Sequence, residues 1–261
     1  MEQENLQVLG QKQLAPNIYQ IDLTGAMLGK IQQPGQFLHL KPQASDLLLR
    51  RPISIARYDT VQKTASLIYR VEGAGTKGFT TLKAGDVLDT LGPLGHGFPV
   101  DNVTAKENIF VIGGGIGIPP LYELTRQLTK RGANVYVFLG YASAQVMYYQ
   151  AEFAALTPHL AISTDDGSYG QQGHVGQLFM AALAKIQPDA VYACGAKGLL
   201  QMVDGTFHDH PRAYVSLESR MACGIGACYG CVTHLQNDPT GTQSKKICDQ
   251  GPVFHTGEVV I

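Results

Sequence analysis

Tryptophan is missing from this chain, and so is any apolar run long enough to cross a bilayer. A spanning helix needs about 20 consecutive apolar residues; the longest candidate, Ile109 to Leu121, is shorter and is broken by glycine and proline. Charge is also scarce. Charged residues make up 16% of the 261 and the formal net charge is −1, so the basic field demanded by nucleic acid or an anionic membrane surface is absent. Met1-Glu2-Gln3-Glu4-Asn5 is polar and acidic, unlike the start expected of a secretory signal. Cysteines number five, an odd count in a chain too long to depend on disulfide staples, and this fits a reducing compartment. The expectation is a cytoplasmic protein with neither nucleic acid nor membrane as partner. Internal repeats and low-complexity tails are missing too, and the glycine run that starts at Gly113 does not continue as the G-x-G-x-x-G fingerprint of dinucleotide folds.

What is there begins with the cysteines. Cys223-Gly-Ile-Gly-Ala-Cys228-Tyr-Gly-Cys231 has C-x4-C-x2-C spacing, and Cys248 follows after sixteen residues. Two-iron, two-sulfur clusters are held by four thiolates, three of them at this spacing. Gly224, Gly226, Ala227 and Gly230 carry little or no side chain. A loop of such residues can wrap closely and aim backbone N–H groups at sulfur. The competing readings are a structural zinc site, which more often shows two C-x2-C pairs, and unliganded thiols. A cluster does one-electron chemistry, so the remaining sequence should show where electrons come from and go.

From Leu6 to about Val100, short alternating segments are divided by turns. Ile18–Leu23, Gln36–Leu40, Ile53–Ala56, Ser66–Val71 and Asp86–Leu91 read as strands, with Pro34-Gly35, Lys41-Pro42, Ala84-Gly85-Asp86 and Gly92-Pro93 as turns. This spacing predicts a small antiparallel barrel. Within it, Arg50-Arg51-Pro52-Ile53-Ser54 can clamp a phosphate and hydrogen-bond a ring, or be an exposed basic turn before an edge strand. Alternation puts Ile68 and Arg70 on one strand face and Tyr69 on the other. Tyr69 can then stack on a ligand ring or simply fill the barrel wall. Gly73-Ala-Gly75-Thr76 opens a short helix with Thr76 expected as its N-cap. This is either a phosphate site or an ordinary capped turn.

Asp101 to Asn108 is a polar linker. Ile109-Phe-Val-Ile then runs into Gly113-Gly114-Gly115-Ile116-Gly117-Ile118-Pro119-Pro120, followed by Leu121, Leu124 and Leu128 at helical spacing and by the strand Val135–Leu139. This βαβ unit sets backbone N–H groups for a pyrophosphate, although the glycines can equally serve tight strand–helix packing. No acid ends the second strand, and no arginine follows it closely to meet a 2′-phosphate; the latter favours NAD over NADP. Leu160–Thr164 ends in Asp165-Asp166-Gly167-Ser168, Val175–Lys185 is the next helix, and Ala190–Gly195 is a strand ending at Cys194-Gly195.

Taken together, Arg-x-x-Ser on one strand, an aromatic on the next and Gly-Thr opening a helix resemble the flavin-binding barrel of the ferredoxin reductase family, and the Gly-Gly-Gly-Ile-Gly-Ile-Pro run resembles its nicotinamide domain. Gly92–Phe98 resembles that barrel's closing loop. The run Ser216-Leu-Glu-Ser-Arg220-Met-Ala-Cys223-Gly-Ile-Gly-Ala-Cys228, with the Arg-Pro-Ile-Ser strand and the order of segments, resembles the electron-transfer subunits of type B dihydroorotate dehydrogenase across essentially the whole chain. The resemblance implies an α+β multidomain fold of three modules: an FAD-binding β-barrel at residues 1–102, an NAD-binding parallel-sheet domain at 103–212, and a [2Fe-2S] domain at 213–261. It implies FAD contacts at Arg51, Pro52, Ile53, Ser54, Ile68, Tyr69, Arg70, Gly75 and Thr76, with Ser54 beside the flavin ring. It places NAD at Gly114, Gly115, Gly117, Cys194 and Gly195, with Cys194 beside the nicotinamide. The family usually has proline after this Cys-Gly, where Ala196 stands here. The cluster ligands map to Cys223, Cys228, Cys231 and Cys248. The implied partner is an FMN-containing catalytic subunit that oxidises dihydroorotate, in a heterotetramer with two of each subunit.

Three other readings remain at this point. One is a reductase subunit of the same modules serving a hydrogenase or a ferredoxin:NADP transhydrogenase. Another is a redox sensor without turnover. The third is a zinc-stapled interaction module.

Overall fold

The computed structural model describes residues 1–261. Period-two alternation builds its first part. Strands β1 (Glu2–Ala15), β2 (Ile18–Thr24), β3 (Phe37–Leu40), β4 (Arg51–Asp59), β5 (Thr64–Arg70) and β6 (Val87–Leu94) close an antiparallel barrel in the order β1-β2-β5-β4-β3-β6. Its interior is filled by Leu6, Val8, Ile21, Leu23, Leu38, Leu40 and Leu67, and each fully buried aliphatic side chain contributes about 1.5–3 kcal/mol. Helix α1 (Ala74–Phe79) follows β5 and buries Phe79.

Two expectations need correction here. Strand β1 was not among the expected strands. Much of it is polar and exposed, and chiefly Leu6 and Val8 turn inward, so its alternation is faint. Gly92-Pro93, expected as a turn, lies inside β6: Gly92 pairs with Glu2, and Leu94 with Phe37. A side chain at Gly92 would strike Leu38, its Cβ falling 2.6 Å from Leu38 Cδ2. The glycine therefore serves close packing within the strand.

The second part is a sheet with helices on both faces. Strand β7 (Asn108–Gly114), a 3-10 turn (Gly115–Gly117), α2 (Pro119–Lys130) and β8 (Asn134–Tyr141) form the βαβ unit. Ile109, Phe110, Val111 and Ile112 are all fully buried, as befits a strand covered on both sides. Then come α3 (Gln150–Ala154), β9 (Leu160–Thr164), β10 (Gln171–Gln172), α4 (Val175–Leu183), β11 (Ala190–Cys194), α5 (Lys197–Thr206) and β12 (Ala213–Ser216). The remaining strands are β13 (Val232–His234), β14 (Ser244–Lys246) and β15 (Val253–His255).

The sheet order is β10-β9-β8-β7-β11-β12-β15. All neighbours run parallel except β15, which pairs antiparallel with β12. Strand order reverses between β7 and β11, the position where open parallel sheets leave a crevice for ligands. Strands β12 and β15 come from the segment expected to form the third module, so that module is sewn into the sheet.

No boundary between parts is dry of contact. One core joins Ala15, Ile18, Ala56 and Ile68 of the barrel to Leu121, Leu124 and Leu128 of α2. The other joins Phe37 and Leu94 of the barrel to Phe110 and Ile112 of the sheet and to Cys231, Ile247 and Cys248 of the C-terminal segment. No helix is long and apolar enough to cross a membrane.

Candidate functional site

A cavity of about 430 Å³ opens where barrel, sheet and C-terminal segment meet. Strand β4 lines it with Arg51, Pro52, Ile53 and Ser54, and β5 with Ile68, Tyr69 and Arg70; Glu72, Thr76, Cys194 and Ser216–Met221 add to the wall, with Phe37, Ile116 and Pro252 between them. Of the residues expected to hold FAD, only Gly75 stays out of the lining. It lies beneath Arg51, whose Nε would be 2.6 Å from a Cβ at that position.

The two adjacent arginines have different duties. Arg50 donates to the Asp89 carboxylate at 2.8 Å and to the Asp89 carbonyl at 2.9 Å, which ties β4 to β6. Arg51 donates only to the carbonyls of Leu49, at 2.6 Å, and Arg50, at 3.3 Å. Its charge has no carboxylate partner and is available to an anion in the cavity.

The geometry favours one of the two open readings of Tyr69, a ring in the barrel wall, and revises one expectation, that for Thr76. The Tyr69 ring is buried in the barrel, stacked on Tyr19 and edge-on to Phe79, and its hydroxyl donates to Gln11 at 2.9 Å. Thr76 is not the N-cap of α1, since the helix starts at Ala74 after Gly73. Its hydroxyl instead accepts from the N–H groups of Glu72 and Gly73, at 3.0 and 3.3 Å, which locks the turn from inside the helix. Ile68 and Tyr69 face opposite cores, as alternation requires.

At the crevice between β7 and β11, Gly113 pairs with Cys194. A Cβ on Gly117 would lie 2.5 Å from the Gly195 nitrogen and 2.6 Å from the Cys194 carbonyl carbon. The glycine run thus lets the turn after β7 rest directly on the end of β11. Gly115 adopts φ +53, a left-handed conformation, and its carbonyl accepts from the Tyr148 hydroxyl at 2.8 Å. Gly114, Gly115, Gly117, Cys194 and Gly195 therefore form one patch of bare backbone around one thiol. Burial pushes the Cys194 thiol up, the nearby Glu218 charge adds to this, and the Ser216 hydroxyl opposes it. The thiol is neutral at physiological pH. Glu218 is itself raised by loss of water contact, with Arg70 opposing. The sequence reading assigned no role to Ser216, Leu217 or Glu218. Their only signal was a place in the conspicuous run before the cysteines, whose spatial approach to Cys194 needs the β11–β12 pairing.

The cysteine loop closes beside this wall. Gly224 (φ +73) and Gly226 (φ +79) take left-handed conformations, which explains glycine at both positions. Backbone N–H groups point at sulfur: Ile225 to Cys223 Sγ at 3.4 Å, Gly226 to Cys248 Sγ at 3.1 Å, and Cys248 to Cys231 Sγ at 3.4 Å. No three His, Cys, Asp or Glu side chains are placed to hold one metal ion; the Cys228 side chain bears on Cys223, and those of Cys231 and Cys223 on Cys248. Burial works against the Cys223 thiolate, but N–H donors from Ile225, Ala227 and Cys228 and the Cys228 side chain bring it down to about 7. Cys248 is pushed up to about 12 by burial and by Cys231, with the Gly226 N–H opposing. Preset N–H donors around these sulfurs suit a two-iron cluster, whose anionic sulfurs need them.

Against this loop lies His39, which the sequence reading passed over. It is fully buried and both ring nitrogens lack a partner. Burial, then the Arg50 charge, lowers it to about 4, so the ring is neutral.

Comparison with known proteins matches two segments of the chain to family models. Residues 218–260 match the family model for the iron-sulfur cluster binding domain of dihydroorotate dehydrogenase B, and residues 111–205 match that of an oxidoreductase NAD-binding domain. The dihydroorotate dehydrogenase B (NAD(+)) electron transfer subunit of Enterococcus faecalis is 57% identical over 99% of this chain and 98% of its own. That of Streptococcus mutans is 44% identical over 99% and 98%. Among solved structures, an NADH-dependent reduced ferredoxin-NADP oxidoreductase superposes with a TM-score of 0.86 at 24% identity, over 98% of this chain and 90% of that one. The ferredoxin-NADP+ reductase of Plasmodium falciparum superposes at 0.65 and 14% identity, over 82% and 95%. With full-length identity of this order and the cluster-binding model of the same family matched, the chain belongs to the family of dihydroorotate dehydrogenase B electron transfer subunits.

Proposed function

We propose that this chain carries electrons from a catalytic partner subunit, which oxidises dihydroorotate to orotate, to NAD, and so serves pyrimidine biosynthesis in the cytoplasm. The observation that carries this reading is the single cavity shared by three sets of residues. Arg51 and Ser54 form one wall and Cys194 another, and Ser216–Met221 leads from the cavity into the cysteine loop. The three modules would be residues 1–102, 103–212 and 213–261, with β12 and β15 anchoring the last to the sheet.

FAD would be held by Arg51, Pro52, Ile53, Ser54, Ile68, Arg70, Gly75 and Thr76, and by Tyr69 in its place on the β5 wall. Arg51 neutralises phosphate charge, and Gly75 leaves space for its guanidinium. A [2Fe-2S] cluster would be held by Cys223, Cys228, Cys231 and Cys248. NAD would lie over Gly114, Gly115 and Gly117 against Cys194 and Gly195. When bound, FAD exchanges electrons singly with a cluster and in pairs with nicotinamide. The chain's own residues supply alignment and exclude water. Ser54 presents a hydroxyl on the flavin side, and Cys194 presents a neutral thiol on the nicotinamide side. Neither group changes charge at physiological pH, so both act by position.

Every strand of the chain is accounted for by the barrel, the seven-stranded sheet and the β13–β14 hairpin, which leaves no (β/α)8 barrel for the oxidation of dihydroorotate. That chemistry belongs to the partner, taken to carry FMN and to assemble as two subunits of each kind. The test is anaerobic titration of the purified chain with NADH, followed by absorbance and low-temperature EPR, and then addition of the catalytic subunit with dihydroorotate and NAD+. Bleaching of flavin, a two-iron EPR signal and dihydroorotate-dependent NADH formation are expected. Flavin bleaching with no iron present, or full reduction with no coupling to the catalytic subunit, overturns the assignment.

A further inference from the structure

His39 stands where the barrel touches the cysteine loop. On β3 the side chains alternate: Leu38 and Leu40 enter the barrel core, while Phe37 and His39 face outward. Phe37 lines the cavity and is paired with Ser54; His39 is paired with Pro52, another cavity residue. Directly paired residues share a sheet face, so His39 belongs to the same wall as the cavity, one step nearer the cysteines. Across from it is Gly224, where a Cβ would fall 2.5 Å from His39 Nδ1. The ring is fully buried, and neither nitrogen has a hydrogen-bond partner.

Leaving a buried donor or acceptor unpaired costs about 1–3 kcal/mol, and buried polar groups nearly always have a partner. An apolar side chain would fill the same space without that cost, as Phe37 does two residues earlier. The Arg50 and Cys223 backbones approach the ring without reaching hydrogen-bond geometry, so a full partner has to come from a group that the polypeptide does not supply. Sulfur atoms of a cluster held by Cys223 and its mates are acceptors at that place, and hydrogen bonds to them set the reduction potential. The donors already aimed at sulfur, from Ile225, Gly226 and Cys248, all come from the C-terminal segment, whereas His39 comes from the barrel.

We propose that His39 is a positioning residue for the cluster, its imidazole N–H donating to the sulfur cage on the Cys223 side from the wall it shares with the FAD cavity. The inference rests on the cluster assigned above. It makes His39 a joint between the two redox sites: the barrel strand that shapes the flavin cavity also tunes the cluster.

The test uses the full-length protein loaded with FAD and cluster. With histidine alone labelled with 15N, pulsed EPR of the reduced cluster should show a nitrogen coupling that is lost in His39→Leu. His39→Leu should also shift electron partition between cluster and FAD about tenfold toward FAD, a fall of about 59 mV in the one-electron cluster potential. His39→Gln, which keeps an N–H donor, should recover part of that shift. The FAD potential should not move. Absence of the coupling in the parent protein overturns the proposal even if both variants fail to retain iron. So does an unchanged cluster potential in His39→Leu with iron retained, or an equal shift in both variants. Absence of iron and of any cluster EPR signal in the parent overturns the cluster itself, a result distinct from a cluster that is present but uncoupled to histidine.

Discussion

The guanidinium of Arg51 rests on the bare backbone of Gly75: a Cβ there would meet Nε at 2.6 Å and Cζ at 2.9 Å. Two short motifs, twenty-four residues apart in sequence, thereby form one anion-facing corner of the cavity. Gly75→Ala has no unusual backbone conformation to fight, so its effect falls on the arginine, which must move aside. FAD binding should weaken about three- to tenfold with little loss of thermal stability. Arg51→Ala should weaken it about ten- to a hundredfold, the worth of a charge-assisted hydrogen bond at about 1.5–3 kcal/mol. Flavin fluorescence released on dilution measures both; FAD affinity in Gly75→Ala equal to the parent's would refute the packing argument.

Gly117 makes a stricter case, because backbone lies on both sides. A Cβ would sit 2.5 Å from the Gly195 nitrogen and 2.6 Å from the Cys194 carbonyl carbon, with no flexible side chain to yield. Gly117→Ala should cost about 1–3 kcal/mol through forced separation of the turn from β11. Tm should fall by about 2–4 °C for each kcal/mol in a chain of this size. KM for NADH should rise while flavin and iron content stay unchanged. Thermal melts and steady-state dye reduction check this, and loss of iron would show that the strain spreads further than argued.

The fifth cysteine separates from the other four by function. Cys194→Ser should retain iron and FAD and slow flavin reduction by NADH about tenfold, or ~1.4 kcal/mol of barrier. Cys248→Ser should lose the cluster and keep FAD. Iron analysis with stopped-flow absorbance distinguishes them; equal iron loss in the two variants would mean that the ligand set is wrong.

Glu107 and Arg212 clamp the start of β7 to the start of β12 through hydrogen bonds of 3.0 and 2.8 Å. Arg212 holds the Glu107 carboxyl at about 2, down from 4.5. A depressed carboxyl pKa stabilises the fold above the unfolded value, and that stabilisation is lost as pH falls through the folded one. Both side chains are about a quarter exposed (20% and 26%), so the contribution is set at about 1 kcal/mol. Glu107→Gln should lower Tm by about 2–4 °C at pH 7. The gap to the parent protein should close between pH 4.5 and 2. A gap that is constant across that range would assign the loss to packing and not to charge.

What the sequence determined by itself is local. Cysteine spacing pointed to the cluster, alternation gave five of the barrel's strands, and the run from Ile109 to Lys130 marked a strand, a glycine turn and a helix. Each of these is a relation between near neighbours, written in side-chain size and period. What only the tertiary structure decided is what stands opposite. Arg50 and Arg51 look alike in sequence, and the difference in their roles comes from Asp89, which occupies the first and not the second. Tyr69 reads as either a ligand-stacking or a barrel-wall ring until Tyr19, Phe79 and Gln11 are seen to claim it. Ser216 and Glu218 reach Cys194 only through the pairing of β11 with β12. His39, one polar residue on an apolar strand, gains its meaning from Gly224, far along the chain. Alternation states which face a residue takes; the packing of distant segments states what that face meets, and the chemistry of this site lies in those meetings.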